Sequence, residues 1–306
     1  MPKNKSNVNV QVFNEVTHSD MDDEKALKVI RRLAKKDFKP RTGLAGRNWE
    51  GKVVIEFGCG AGLKLLQYGL RGANTIGLDG SPMAIKRATR YAALLELEEV
   101  AFIECRLEAA DEALKDFPKA DLVICSGVIH HVHEWREMLS HIANTLKPDG
   151  MLYLTWGDWT LHLSGFNIKN QISYRLGWNL QSRMSIGKFL FGWWDKKRNS
   201  TNIDWDSFYA DLYAAYYIPI SRGKMVAELN KNNLRVVSSN PANTIAQVLE
   251  QPSVQSSQTR KARWVRRLAR YRMIRPLLDF AVTAKWYLLE PTHKPRVISA
   301  QRMHLE

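Results

Sequence analysis

The run Glu56-Phe57-Gly58-Cys59-Gly60-Ala61-Gly62 closes one apolar stretch and leads straight into another. Glycines at this spacing let the backbone turn tightly and approach a ligand with no Cβ in the way. A helix starting behind them offers free N–H groups and the positive end of its dipole to a phosphate or carboxylate. Seventeen residues past Gly62, the run Ile76-Gly77-Leu78 ends on Asp79, placed where a carboxylate can accept both hydroxyls of a ribose. A third cluster, His130, His131 and His133, follows the apolar run Asp121–Ser126. An imidazole there can take a proton from a hydroxyl or an acidic carbon as an electrophile arrives. The alternatives for these rings are filling a crevice wall or standing in water. No Cys or carboxylate at ligand spacing completes a tetrahedral metal set around them, so no metal site is expected.

Those residues need a scaffold, and the chain supplies an alternating one. Val53–Phe57, Thr75–Asp79, Val100–Glu104, Asp121–Ser126 and Met151–Trp156 read as short buried strands. Ala61–Leu70, Pro82–Glu96 and Glu134–Leu146 read as helices between them, the second with Pro at its first turn. Strand–helix alternation of this kind predicts right-handed βαβ units, hence an α/β fold with a doubly wound, mainly parallel sheet of Rossmann-like type. Ligands in such a sheet bind at the carboxyl edge near the switch point, where Gly58–Gly62, Asp79 and the histidines converge.

The glycine spacing separates two cofactor classes. A dinucleotide fingerprint needs G-x-G-x-x-G, and this chain carries G-x-G-x-G with Leu63 at the position of the fingerprint's last glycine. Preceded by Glu56, the loop instead resembles that of the class I S-adenosylmethionine-dependent methyltransferases, in the broad small-molecule group of the ubiquinone/menaquinone type. The resemblance runs through Val53–Gly62, Gly77–Pro82, Asp121–His131 and Leu146–Thr155, covering residues 51–156 well and 221–250 more weakly. It implies a methyltransferase using S-adenosyl-L-methionine by direct displacement. It also implies cofactor contacts from Glu56, Gly58, Cys59, Gly60 and Gly62 to the methionine part, from Asp79 and Gly80 to the ribose region, from Leu107 to the adenine and from Ser126 near the transferred methyl. His130 and His131 are the candidate catalytic bases. Arg106 stands where the family commonly has an Asp for the adenine amine.

The remainder of the chain divides around this core. Residues 1–50 read as a polar segment and a helix starting near Asp20, residues 51–155 as the cofactor-binding core, and residues 156–220 as an insertion. The insertion carries half of the chain's thirty aromatic residues and reads as a lid over a small or lipophilic acceptor. Residues 221–251 are expected to give the last helix, Arg222–Asn232, and the last strands, Leu234–Ser239 and Thr244–Glu250.

Residues 252–306 hold +9 of the net charge of +14 and read as a basic, helical appendage outside the sheet. Trp264, Leu268 and Tyr271 form one stripe beside Arg263, Arg266, Arg267 and Arg270, and a thirteen-residue apolar run, Leu277–Leu289, follows. That run is too short to span a bilayer. Packing on the protein or a second subunit is favoured for it. Peripheral membrane contact through residues 260–289 comes next, and nucleic acid last, since no stacked aromatic/basic alternation is present. The alternative functions are thus an RNA methyltransferase anchored by the tail and a non-catalytic cofactor-binding or membrane-docking protein.

Three cysteines (Cys59, Cys105, Cys125) form no disulfide framework, and the start Met1-Pro2-Lys3 leads into no signal sequence. A cytoplasmic protein is the expectation, with a peripheral position at the membrane as the alternative.

Overall fold

The computed structural model describes residues 22–36, 44–156, 182, 185, 218, 220–240 and 296–302. Its elements follow in chain order: α1 (Asp23–Lys35), β1 (Val53–Phe57), α2 (Leu63–Gly69), β2 (Asn74–Asp79), α3 (Pro82–Leu94), β3 (Val100–Glu104), α4 (Ala110–Leu114), β4 (Ala120–Ser126), α5 (Trp135–Thr145), β5 (Leu146–Trp156), α6 (Arg222–Lys231), β6 (Leu234–Asn240) and β7 (Arg296–Arg302). The seven strands form one sheet in the order β3-β2-β1-β4-β5-β7-β6. β1 to β5 pair in parallel, and β7 runs antiparallel to both β5 and β6.

The strands form where continuous apolar runs can be covered on both faces. Every residue of β1 is buried. One face of the sheet, with Ile55, Phe57, Leu78 and Leu154, packs on Leu114 of α4, Met138 and Leu139 of α5, and Met225 and Leu229 of α6. The other face sets Val54 and Ile124 against Leu65 and Tyr68 of α2. Beyond them, Ala26 and Ile30 of α1 meet Leu66 of α2 and Tyr91 of α3. α1 is secured at its carboxyl end by Arg71, which donates to the carbonyls of Leu33, Ala34 and Lys36, where a cation complements the helix dipole.

The chain winds outward from β1 in both directions, so the switch point lies between β1 and β4. Their carboxyl ends, Phe57 and Cys125, are register partners there. Asp121 holds the opposite end of the sheet. Its Oδ2 accepts the Val53 amide (2.9 Å) and the Lys147 ammonium (2.7 Å), beside the register shift between Ala120 and Leu122. The Lys147–Gly150 turn expected before the fifth strand is thus a bulge inside β5.

One expectation is overturned. The sheet does not end before residue 252: β7 lies within the supposed appendage and is inserted between β5 and β6. Its register, Met151↔Gln301 through Trp156↔Arg296 on one side and Leu234↔Arg302 through Asn240↔Val297 on the other, makes it an interior strand. The physical reason is that β5 and β6 do not pair with each other, and β7 supplies the backbone partners of both. The proposed strand Thr244–Glu250, the basic stripe Arg263–Tyr271 and the segment 260–289 lie outside the described residues, as does residues 156–220 beyond Trp156, Ser182, Ser185, Ile218 and Ile220. The sequence reading also missed α4 and the single 3-10 turns Leu107–Ala109 and Ile129–His131.

Candidate functional site

The glycine loop leaves β1 at its carboxyl end and climbs over β2. The amides of Gly58 and Cys59 both donate to the Leu78 carbonyl (2.7 and 2.9 Å), which presses the loop against the end of β2. Gly58 and Gly62 have φ of +70° and +76°, a region that favours glycine. A Cβ on Gly58 would collide with the Val128 side chain, and one on Gly62 would sit 3.1 Å from Ala88 Cβ and 3.2 Å from Phe102 Cζ. The loop must therefore keep these glycines for its own close packing as well as for a ligand. Gly62 also sets the start of α2, so Ala61 belongs to the loop and the helix is shorter than its apolar pattern suggested.

Asp79 closes the site from the β2 side. Its Oδ2 accepts the Gly60 amide at 2.8 Å, and its Oδ1 accepts the Ser81 amide at 2.8 Å. Each carboxylate oxygen offers two lone-pair directions, so an oxygen that holds one amide can still accept a ligand hydroxyl. Gly80 lies between these anchors. Ser81 then caps α3, its hydroxyl accepting the Ala84 amide at 3.1 Å, with Pro82 at the first helical position.

Glu56 is the anomaly of the core. Only 2% exposed, it sits in a strand otherwise made of apolar side chains, and among the described residues its Oε2 has no hydrogen-bond partner. Burial pushes its carboxyl up to about 8. The Lys64 ammonium opposes that rise, the Asp79 charge adds to it, and the Leu65 amide opposes it. A carboxyl with one oxygen unbonded in an apolar core is costly to ionise, so an arriving cation would stabilise its charged form.

Across the switch point, Ser126 ends β4. Its Oγ shares a hydrogen bond with Thr155 Oγ1 (3.0 Å) and accepts one from Lys64 Nζ (2.8 Å). The sequence does not single out Lys64, since a lone lysine on an amphipathic helix reads as solvated, and only its reach to Ser126 brings it to this edge. Next come His130 and His131, 1% and 7% exposed, with ring centroids 4.2 Å apart at 46°. His133 stands apart, exposed and bonded to Glu134 at 2.7 Å. The histidine turn is also where the insertion returns. Ile218 N–H donates to the His130 carbonyl (2.7 Å), and the Trp156 indole N–H donates to the Ile220 carbonyl (2.8 Å). Both ends of residues 157–217 are thus fastened beside His130.

On the β3 side, Leu107 is buried in its 3-10 turn, and Arg106 faces Glu108 at 3.7 Å. Of the cysteines, Cys59 and Cys125 are buried and Cys105 partly so, and all three are free thiols. Burial raises each thiol, that of Cys105 to about 11 and that of Cys125 to about 12, which disfavours the thiolate at neutral pH. The crevice brings together Glu56, the glycine loop, Asp79, Ser126 and the two buried histidines. What it can do is hold a polar nucleoside-type ligand with a charged end and present it to a second molecule at the histidine turn.

Comparison with known proteins agrees with that geometry. Residues 55–152 match a family described as "Methyltransferase domain". The chain is 32% identical over 133 residues to the mitochondrial ubiquinone biosynthesis O-methyltransferase of Bos taurus, covering 43% of this chain and 33% of that protein. It is 28% identical over 146 residues to the ubiquinone biosynthesis O-methyltransferase of Chelativorans sp. (strain BNC1), covering 48% of this chain and 56% of the relative. The chain thus spans between a third and about half the length of these curated relatives. Among solved structures, PKMT2 from Rickettsia typhi is similar at a TM-score of 0.54 and 17% identity, over 91% of this chain and 52% of that one. The same protein in complex with AdoHcy gives 0.52 at 18% identity, over 90% and 52%. At these identities the likeness shows the fold.

Proposed function

We propose that this protein transfers a methyl group from S-adenosylmethionine to a small or lipophilic acceptor, a reading supported by the match of residues 55–152 to a family described as "Methyltransferase domain". The observation that carries the reading is the buried Glu56 carboxylate with an unbonded oxygen, in one crevice with Asp79 at the end of β2. The residues fit the cofactor. Asp79 brings a carboxylate for the ribose diol, Glu56 faces where a positively charged amino group would come, and Gly58, Cys59, Gly60 and Gly62 form the wall between them. Gly80, Leu107 and Ser126 complete the set assigned from the resemblance.

When bound, S-adenosylmethionine supplies an electrophilic methyl group on a sulfonium. The protein's own work is to align the acceptor with it and to exclude water. His131 or His130, buried at the same edge, takes the acceptor's proton. The aromatic-rich segment 156–220 roofs the acceptor, a reading supported by the fastening of both its ends beside His130. The relatives named for ubiquinone biosynthesis support oxygen of a quinone-type molecule as the atom methylated. We place the reaction in the cytoplasm. Among the described residues no helix is long and apolar enough to cross a membrane.

The test has two stages. Calorimetry should show S-adenosylhomocysteine binding to the purified full chain. Incubation with S-adenosylmethionine and a cell extract should then yield a metabolite heavier by one CH₂ per turnover. Binding without any methylated product would favour a cofactor-sensing protein instead.

A further inference from the structure

The crevice contains two ionisable groups that are not bonded to each other. Glu56 is one, buried in β1 with Oε2 unbonded among the described residues. Lys64 is the other. Its Nζ reaches from α2 to the Ser126 hydroxyl at 2.8 Å, and among the described residues no carboxylate lies within ion-pair distance of it. Lys64 is exposed, so its ammonium is hydrated as well as bonded to the Ser126 hydroxyl and stays open to a stronger acceptor. The hydroxyl itself is already paired with Thr155. Lys64 is near enough to Glu56 for its charge to act on that carboxyl, yet it is not bonded to it. A ligand group bearing both an ammonium and a carboxylate, separated by one carbon, supplies a charged partner to each.

We infer that Lys64 binds the carboxylate of an α-amino-acid end of the ligand, opposite Glu56, so that this crevice selects an amino-acid-bearing nucleoside over a plain one. The inference rests on the reading of S-adenosylmethionine as cofactor and adds a residue and a selectivity to it. Lys64 exchanges the Ser126 hydroxyl for the carboxylate, a charge-assisted bond about twice as strong as a neutral one. Ser126 keeps Thr155. Glu56 takes the ammonium, and the two protein charges become neutralised through the ligand.

Three ligands separate the outcomes on the full chain by calorimetry: S-adenosylhomocysteine with both charged groups, decarboxylated S-adenosylmethionine with the ammonium alone, and methylthioadenosine with neither. Lys64→Met keeps the alkyl stem and removes the charge. It is expected to weaken S-adenosylhomocysteine roughly 10- to 100-fold, the range of a lost charged hydrogen bond. The other two ligands should shift less than about twofold, and Lys64→Arg should restore most of the loss. Equal weakening of all three would show that Lys64 only supports the loop, and would overturn the inference. Loss of both ammonium-bearing ligands together would make it a charge compensator for Glu56, with the same result. Unchanged S-adenosylhomocysteine affinity in Lys64→Met, with wild-type binding intact, would remove Lys64 and leave the cofactor reading standing. A wild-type protein that binds none of the three would overturn both.

Discussion

The carboxylate of Asp79 accepts the backbone amide of Gly60 at 2.8 Å, across nineteen residues of chain. One side chain thereby sets the shape of the glycine loop and presents the oxygens proposed for a ribose. Holding the loop and binding the ligand are the same act for this residue.

Asp79→Ala is therefore expected to fail in two ways. Cofactor affinity should drop at least about tenfold, since two charge-assisted hydrogen bonds at ~1.5–3 kcal/mol each are lost. Stability should also fall by roughly 1–3 kcal/mol, because the Gly60 and Ser81 amides lose their acceptor in a partly buried place. Thermal unfolding without ligand and calorimetry with S-adenosylhomocysteine measure the two losses separately. An unchanged affinity would rule out the ribose assignment.

Glu56 makes a forecast in pH. Its carboxyl rises from 4.5 to about 8 on folding, chiefly through burial. Below about pH 4.5 folded and unfolded chains are both protonated there and nothing is lost. As pH rises from there to about 8, the unfolded chain releases a proton that the folded chain keeps, and stability falls, by roughly 4–5 kcal/mol over the whole window. Glu56→Gln should flatten that decline in the ligand-free protein. An ammonium placed on Glu56 favours its ionised form, so cofactor binding near pH 7 should release close to one proton. Calorimetry in buffers of different ionisation enthalpy reads that proton, and zero release would contradict the assignment of Glu56 to the ligand's amino group.

The histidines are distinguished by turnover. His131→Ala is expected to lose roughly 10²–10⁴ in rate while retaining cofactor affinity, if the imidazole takes the acceptor's proton. His130, at 1% exposure, should in addition cost stability when truncated, because it leaves a hole in packed surroundings. Near-normal rates in both variants would make them wall residues and leave positioning alone as the source of catalysis.

Removing residues 252–306 should not give a folded core. β7 lies between β5 and β6, so the truncation deletes an interior strand and strips six register pairs from β5. Removing only residues 296–306 is expected to do the same, with loss of the cooperative thermal transition. A shortened protein that melts like the full chain would show that β7 contributes nothing to the sheet.

Legibility tracked locality. β1 and β3 were read to the residue, Val53–Phe57 and Val100–Glu104, because each is a short apolar run whose covering helices are adjacent in the chain. The glycine loop and Asp79 were readable for the same reason, being fixed by one βαβ unit. β7 was not, since Arg296–Arg302 pairs with strands lying about 150 and 70 residues away, and nothing near it in sequence announces that partner. Charged and polar residues within Arg296–Arg302 disguised an interior strand as part of a basic tail. Lys64 and the amide bonds of Asp79 share that obscurity: residue types were visible, but their partners lay across the fold.

The position of β7 also fixes an order of events during synthesis. β5 is complete once Trp156 has emerged, but its antiparallel partner begins at Arg296. At translation rates of about 5–20 residues per second, the intervening stretch takes roughly 7–28 s to make. Through that interval the nascent sheet presents the backbone donors and acceptors of β5 as an open edge, a ready template for another strand. Yield of this protein in a cell should therefore respond to chaperone supply and to the speed of the ribosome between those two strands more than to substitutions in the well-packed half of the sheet.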